Sequence, residues 1–183
     1  MLKIMKNRIF CGIVFFVMII TSIGVKADHV MLGPLWNKNT VSYYYENFNS
    51  SRAKSYFRTG ANAWNSTDMS FVVGSASNYD IYCGEKGRPY ETWDGITYWT
   101  LDDNGYFASQ TLLLNYSYTK TWNDDNALKS VVVHEFGHCA GLDHRSGEKS
   151  IMNPTTWGND SRYEYWGVVV PQTKDINSVN YYY

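Results

Sequence analysis

The chain predicts an α+β domain, a mixed, twisted sheet of about five strands backed by two helices, with a smaller, irregular lower part that carries a third helix. Two observations point there. Read in order, the segments run strand, helix, three or four strands, helix, irregular stretch, helix. No internal repeat, low-complexity tract or linker divides them, and 183 residues are enough to bury one core.

The first segment stands apart from that domain. Lys3, Lys6 and Arg8 precede a run, Ile9 to Val25, that is apolar apart from Thr21 and Ser22 and ends in "VKA" before Asp28. A positive head, an apolar middle and small or apolar residues at the last and third-last positions describe a secretory signal peptide, with cleavage expected after Ala27. The reading is therefore residues 1–27 as signal and 28–183 as the domain, secreted, with no stable membrane association once the signal is gone. Removing the signal takes four positive and no negative charges from a chain of formal charge -1, leaving about -5. Such a balance argues against nucleic acid as a partner. Cys11 leaves with the signal, and Cys83 and Cys139 remain as either core residues or one disulfide.

Within the domain, "TVSYYYENF" (Thr40 to Phe48) is β-branched and aromatic and reads as the first strand. Ala53, Phe57, Ala61 and Trp64 follow at spacings of four, four and three, one apolar stripe on a helix opened by a Ser cap, with Gly60 as its weak point. "MSFVVG" and "YDIYC" read as short strands. Ile96–Leu101 and Ser109–Tyr116 read as two more, joined through the turn-forming "DDNG". That acidic cluster lacks the ligand count and spacing of a dedicated calcium loop, so Ca2+ is unsupported. "DDNALKSVVVHEFGHCAG" reads as a helix capped by Asp124 or Asp125 and stopped by Gly141. "PQTKDINSVNYYY" reads as the last helix, with Thr173 as its cap and Ile176, Val179 and Tyr183 on its apolar side.

The chemistry concentrates in "HEFGHCAGLDH". His134 and His138 stand four apart, so a helix stacks them on one face, where two imidazoles can converge on a tetrahedral ion at about 2.0 to 2.1 Å. Glu135 lies beside them, able to act as a base without coordinating. His144 is six residues beyond His138, about 9 Å along a continued helix and on the wrong face. It joins the others only if the helix stops and the chain doubles back, and Gly141 is the residue free to take the left-handed conformation that this needs.

At this point the chain resembles the metzincin zinc endopeptidases, whose signature HExxHxxGxxH is met by His134, Glu135, His138, Gly141 and His144. The resemblance implies that "SIMNP" forms a tight turn below the metal with Met152 at its centre. Within the metzincins the chain is most similar to the matrixin catalytic domain, through "GLDH", the tyrosine-bearing first strand, the helix with Ala61 and Trp64, and Trp122 ahead of the active-site helix. It implies that Asp175 hydrogen-bonds beneath the Met-turn. Arg145 departs from the Ser or Thr usual after the third histidine. The only other histidine is His29, so a second, histidine-built structural zinc is excluded on count.

The implied function is a secreted, monomeric endopeptidase with one catalytic Zn2+. Three neutral imidazoles leave one position open to water, whose proton Glu135 takes as general base. The polypeptide substrate lies extended along an edge strand, Ile96 to Leu101, where Tyr98 and Trp99 are candidate contacts. Trp157, Tyr163 and Tyr165 are candidates for the wall of the selectivity pocket. Residues 28–37 are either a sheet-docked terminus or a short pro-segment in which Asp28 or His29 caps the metal. A competing reading keeps the fold without the activity: a secreted binding module that uses its aromatic surface to hold carbohydrate or a host protein. The intact Glu135 argues against it, because a pseudoenzyme commonly loses that residue.

Overall fold

The computed structural model describes residues 33–46 and 49–183. The expected signal peptide, Asp28, His29 and Phe48 of the first strand lie outside the described residues. Strands β1 (Thr40–Tyr45), β2 (Ser70–Val73), β3 (Ile81–Lys86), β4 (Gly95–Leu101) and β5 (Phe107–Asn115) form one sheet in the order β2-β1-β3-β5-β4. All pairs are parallel except β4 with β5. The antiparallel pair closes through Asp102, whose Oδ1 accepts the amides of Asn104 and Tyr106, both at 2.9 Å. That carboxylate oxygen is engaged in turn chemistry.

Helix α1 (Ser51–Trp64) is capped by Ser50, which accepts the Ala53 amide at 3.1 Å. Its stripe of Ala53, Phe57, Ala61 and Trp64 is fully buried. Gly60 lies where the active-site helix crosses: a Cβ there would stand 2.6 Å from the Phe136 ring and 2.9 Å from the Val132 carbonyl. The residue that weakens α1 locally is thus the one that lets the helices close. Trp64 completes the contact by donating Nε1–H to the Val133 carbonyl at 2.9 Å. Tyr43 and Phe71 of the sheet meet Phe136 edge-on, with centroids 5.6 and 5.2 Å away.

A four-residue helix, α2 (Thr119–Trp122), precedes α3 (Asp125–Cys139) and is too short to show a period in the sequence. Asp124 caps α3 by accepting the amides of Asn126 and Ala127. From Ser130 to Cys139 every residue of α3 is buried, so it is a central helix covered on all sides rather than an amphipathic one. The irregular lower part follows, and α4 (Thr173–Tyr182) closes the chain. Its N-cap is Gln172, not Thr173, because the Asp175 carboxylate reaches back to accept the Gln172 amide at 2.8 Å.

Cys83 and Cys139 are both free thiols buried in the core. Of residues 28–37, the described part is docked on the domain through Trp36, which is 4% exposed and donates Nε1–H to the Cys139 carbonyl at 2.9 Å. Among the described residues, no helix is long and apolar enough to cross a membrane.

Candidate active site

The end of α3 decides whether the third histidine arrives. The Gly141 amide donates to the His138 carbonyl at 2.9 Å, and the Leu142 amide to the Gly137 carbonyl at 3.0 Å. These are the paired bonds of a Schellman stop, and they require the residue between them to be left-handed. Gly141 has φ +88°. The chain then turns back and brings His144 to the other two.

The Nε2 of His138 lies 3.1 Å from the Nε2 of His134 and 3.1 Å from that of His144. A tetrahedral ion with bonds of 2.0 to 2.1 Å has an edge of about 3.3 Å, so both separations from His138 match that edge to within a few tenths of an ångström, and the ligand atoms of all three histidines lie within 4.8 Å of one another. The opposite ring nitrogens are already assigned. His134 Nδ1 sits 2.8 Å from the Ile151 carbonyl and His138 Nδ1 2.8 Å from the Leu142 carbonyl. A carbonyl only accepts, so each Nδ1 carries the proton and each Nε2 lone pair faces the centre. Burial holds the imidazoles of His134 and His144 below their ordinary value and brings His138 down to about 4. Neutral imidazoles are the ligand form. Among the described residues this is the one group of three or more His, Cys, Asp or Glu placed to share an ion.

Ile151, which holds His134, belongs to the turn predicted around Met152. The Asn153 amide donates to the Ser150 carbonyl at 3.3 Å, and Met152 is fully buried. Asp175, also fully buried, lies below: Oδ1 accepts from Ser150 Oγ at 2.5 Å and Oδ2 from the Ile151 amide at 3.1 Å. Arg145 is buried beside them, its Nε 4.0 Å from Asp175 Oδ1 and its Nη2 donating to Ser178 Oγ at 2.8 Å. The residue that follows the third ligand therefore ties the ligand loop to α4.

Glu135 and the three histidines line a cleft of about 570 Å³ that also takes in Trp99, Trp157, Asp94 and Arg162. Burial pushes the Glu135 carboxyl up to about 7, against the Thr97 hydrogen bond and the Arg162 charge, which pull it down. Of the expected substrate contacts, Trp99 and Trp157 line the cleft, whereas Tyr98, Tyr163 and Tyr165 do not. Successive strand residues point to opposite faces, so with Thr97 and Trp99 turned to the cleft, Tyr98 is turned away and 51% exposed. Tyr165 is 61% exposed. Tyr163 braces the wall from behind, its ring edge-on to Trp157 at 5.3 Å and its hydroxyl donating to Asp124.

Arg162 was not legible as a site residue, since an arginine in an irregular stretch carries no periodic signal. It is 1% exposed, donates to the carbonyls of Asn153 and Pro154 and to Thr156 Oγ1, and lies 4.0 Å from Asp94 across the cleft. Short α2 was missed for the same reason, yet its Thr121 accepts from Trp157 Nε1 and donates to Asp94, each at 2.8 Å.

A family model described as Matrixin, the peptidase family Peptidase_M10, matches residues 35–183. The chain belongs to the matrixin family. This matrixin is similar to Matrix metalloproteinase-26 of Homo sapiens, 27% identical over 141 residues, which cover 69% of the chain and 53% of that protein. It is also similar to Metalloendoproteinase 1-MMP of Arabidopsis thaliana, 30% identical over 144 residues, covering 67% of the chain and 38% of that protein. The match thus spans about half or less of each relative.

Two outcomes follow for this matrixin. In Asp175→Ala, three donors lose a buried acceptor, and the expected cost is about 3 to 5 kcal/mol in urea unfolding. Because Ile151 also holds His134, zinc affinity is expected to fall about 10- to 100-fold in the same variant, by metal titration. The second outcome concerns pH in metal-free protein. The histidines are held neutral when folded but take up protons when unfolded, so stability rises with pH across this window and is lost as pH falls from about 6.5 toward 4. His138 alone accounts for about 3 kcal/mol of that loss. Glu135 acts oppositely, retaining its proton in the folded state between its ordinary value and about 7. All three imidazoles act in the same direction against the one carboxyl, and urea midpoints at pH 7 and pH 4.5, expected to fall with pH, check the sign.

Proposed function

We propose that this chain is a secreted, zinc-dependent endopeptidase acting on extended polypeptides as a monomer, with residues 1–27 as its signal peptide. One observation carries the reading. Three neutral imidazoles converge their Nε2 atoms beside a buried carboxylate, in an open cleft flanked by the edge strand of the sheet. His134, His138 and His144 hold a single zinc. When bound, the ion supplies a Lewis acid that polarises a carbonyl and lowers the pKa of water.

The chain's own groups do the rest. β4 pairs with β5 on one side only, so its other backbone edge is free to pair with a substrate strand in whatever sequence it comes. Glu135 takes a proton from the attacking water and returns it to the leaving amine. A carboxyl whose affinity for protons lies near neutrality suits both steps. Trp157, held by Thr121 and covered by the Lys120 ammonium 3.9 Å from its ring centroid, forms a fixed wall beside the ligands. Side-chain selection belongs to that wall and to Trp99.

Casein or gelatin cleavage, together with metal content by elemental analysis, tests the reading. One zinc per chain and cleavage abolished by a chelator are expected. Purified, zinc-loaded protein that leaves both substrates intact while binding a host protein or carbohydrate would instead favour the binding module.

A further inference from the structure

Glu135 is 3% exposed, and its carboxylate is gripped from one side by strand β4. Thr97, itself 8% exposed, places Oγ1 at 2.8 Å from Glu135 Oε2 and at 3.3 Å from the Glu135 carbonyl oxygen. A hydroxyl has one proton to give, and the shorter, charge-assisted bond to the carboxylate takes it. Two residues along the strand, on the same face, Gly95 leaves room for the other oxygen. A Cβ at that position would stand 2.9 Å from Glu135 Oε1 and 2.9 Å from its Cγ. Among the described residues, no protein donor reaches Oε1, and it is not one of the buried atoms left without a partner. It faces the cleft that Glu135 lines.

We propose that Thr97 is the positioning residue for the general base, dividing the Glu135 carboxylate into an anchored oxygen, Oε2, and a working oxygen, Oε1. The inference rests on the endopeptidase reading. A glutamate has three side-chain torsions, and a misplacement of about 1 Å costs on the order of a hundredfold in rate. The Thr97 bond removes that freedom without using the oxygen that handles the proton. In the step it supports, the water oxygen bonds to the peptide carbon while the carbonyl π pair moves to oxygen, and the water proton goes to Oε1. The proton then passes from Oε1 to the amide nitrogen, the oxyanion pair re-forms the carbonyl as the C–N bond breaks with its pair on nitrogen, and the Glu135 carboxylate is restored. Thr97 keeps its own proton throughout.

Thr97→Val keeps the shape and removes the donor, Thr97→Ser restores the hydroxyl, and Thr97→Ala serves if the valine variant does not fold. Expected for valine is a kcat about 10- to 100-fold lower with KM and zinc content unchanged. Serine recovers most of that loss. In a Glu135→Ala background, Thr97→Val should change the residual rate no further, whereas a merely structural role lowers it in both backgrounds. A readout independent of turnover is the urea midpoint of metal-free protein, where the effects of Thr97→Val and Glu135→Ala should be non-additive. Wild-type kcat in Thr97→Val, or additive midpoints, overturns the proposal alone. Wild-type protein that cleaves no peptide overturns the endopeptidase reading and this one with it.

Discussion

Replacing Glu135 with Ala is expected to lower peptide-bond hydrolysis by about 10² to 10⁴-fold while leaving zinc content at the wild-type level. The two halves of that result have separate causes. The metal cluster comprises the three histidines, and Glu135 contributes no atom to it. Its carboxylate is instead bonded to Thr97 on one oxygen and open to the cleft on the other. Truncation therefore removes the proton carrier and leaves the ligands, whose Nδ1 atoms remain fixed by the Ile151 and Leu142 carbonyls. Steady-state kinetics on a peptide substrate, with elemental analysis of the same preparation, checks both. A large fall in zinc content would place Glu135 in the coordination set and contradict the assignment.

The second large effect is expected in His138→Ala. His138 is the middle ligand, 3.1 Å from each of the other two Nε2 atoms, and its own carbonyl accepts one of the two bonds of the Schellman stop that returns His144. Loss of an outer-shell partner commonly costs 10- to 100-fold in metal affinity, so loss of a direct ligand is expected to cost at least about 100-fold, with activity falling alongside. The change also appears in unfolding. Zinc at a hundred times its dissociation constant stabilises the wild-type fold by about 2.7 kcal/mol, and the variant loses that increment. Urea midpoints with and without added zinc give the comparison.

Much of this was legible in the amino-acid sequence, and the reasons differ by element. The α1 stripe could be read because only one face of that helix is buried, so its period shows. Helix α3, buried along almost its whole length, shows little period, and its placement came from histidine spacing and the glycine that follows. Asp175 came from resemblance, and the structure places it under the Met-turn, where it also displaces Thr173 from the cap of α4. Tyr98 and Trp99 were both expected as substrate contacts, and strand alternation turns their side chains to opposite faces, with Trp99 lining the cleft. Applied strictly, alternation pairs Trp99 with Thr97 and would have pointed to the partner of the base. Arg162, Thr121 and Asp94 had no such signal. Each is placed by a long-range polar contact within the irregular lower part or across the cleft, and no local period encodes those contacts.

The central claim is that one zinc and Glu135 together cleave extended peptides in this cleft. Its most direct test is a peptide-library digest read by mass spectrometry, run on the wild-type protein with and without a chelator. Internal cleavages that vanish with the chelator, return on adding zinc, and share a preference at the residue beside the Trp157 wall are the predicted result. Cleavage that persists with the metal removed, or no cleavage by fully zinc-loaded protein, would contradict it.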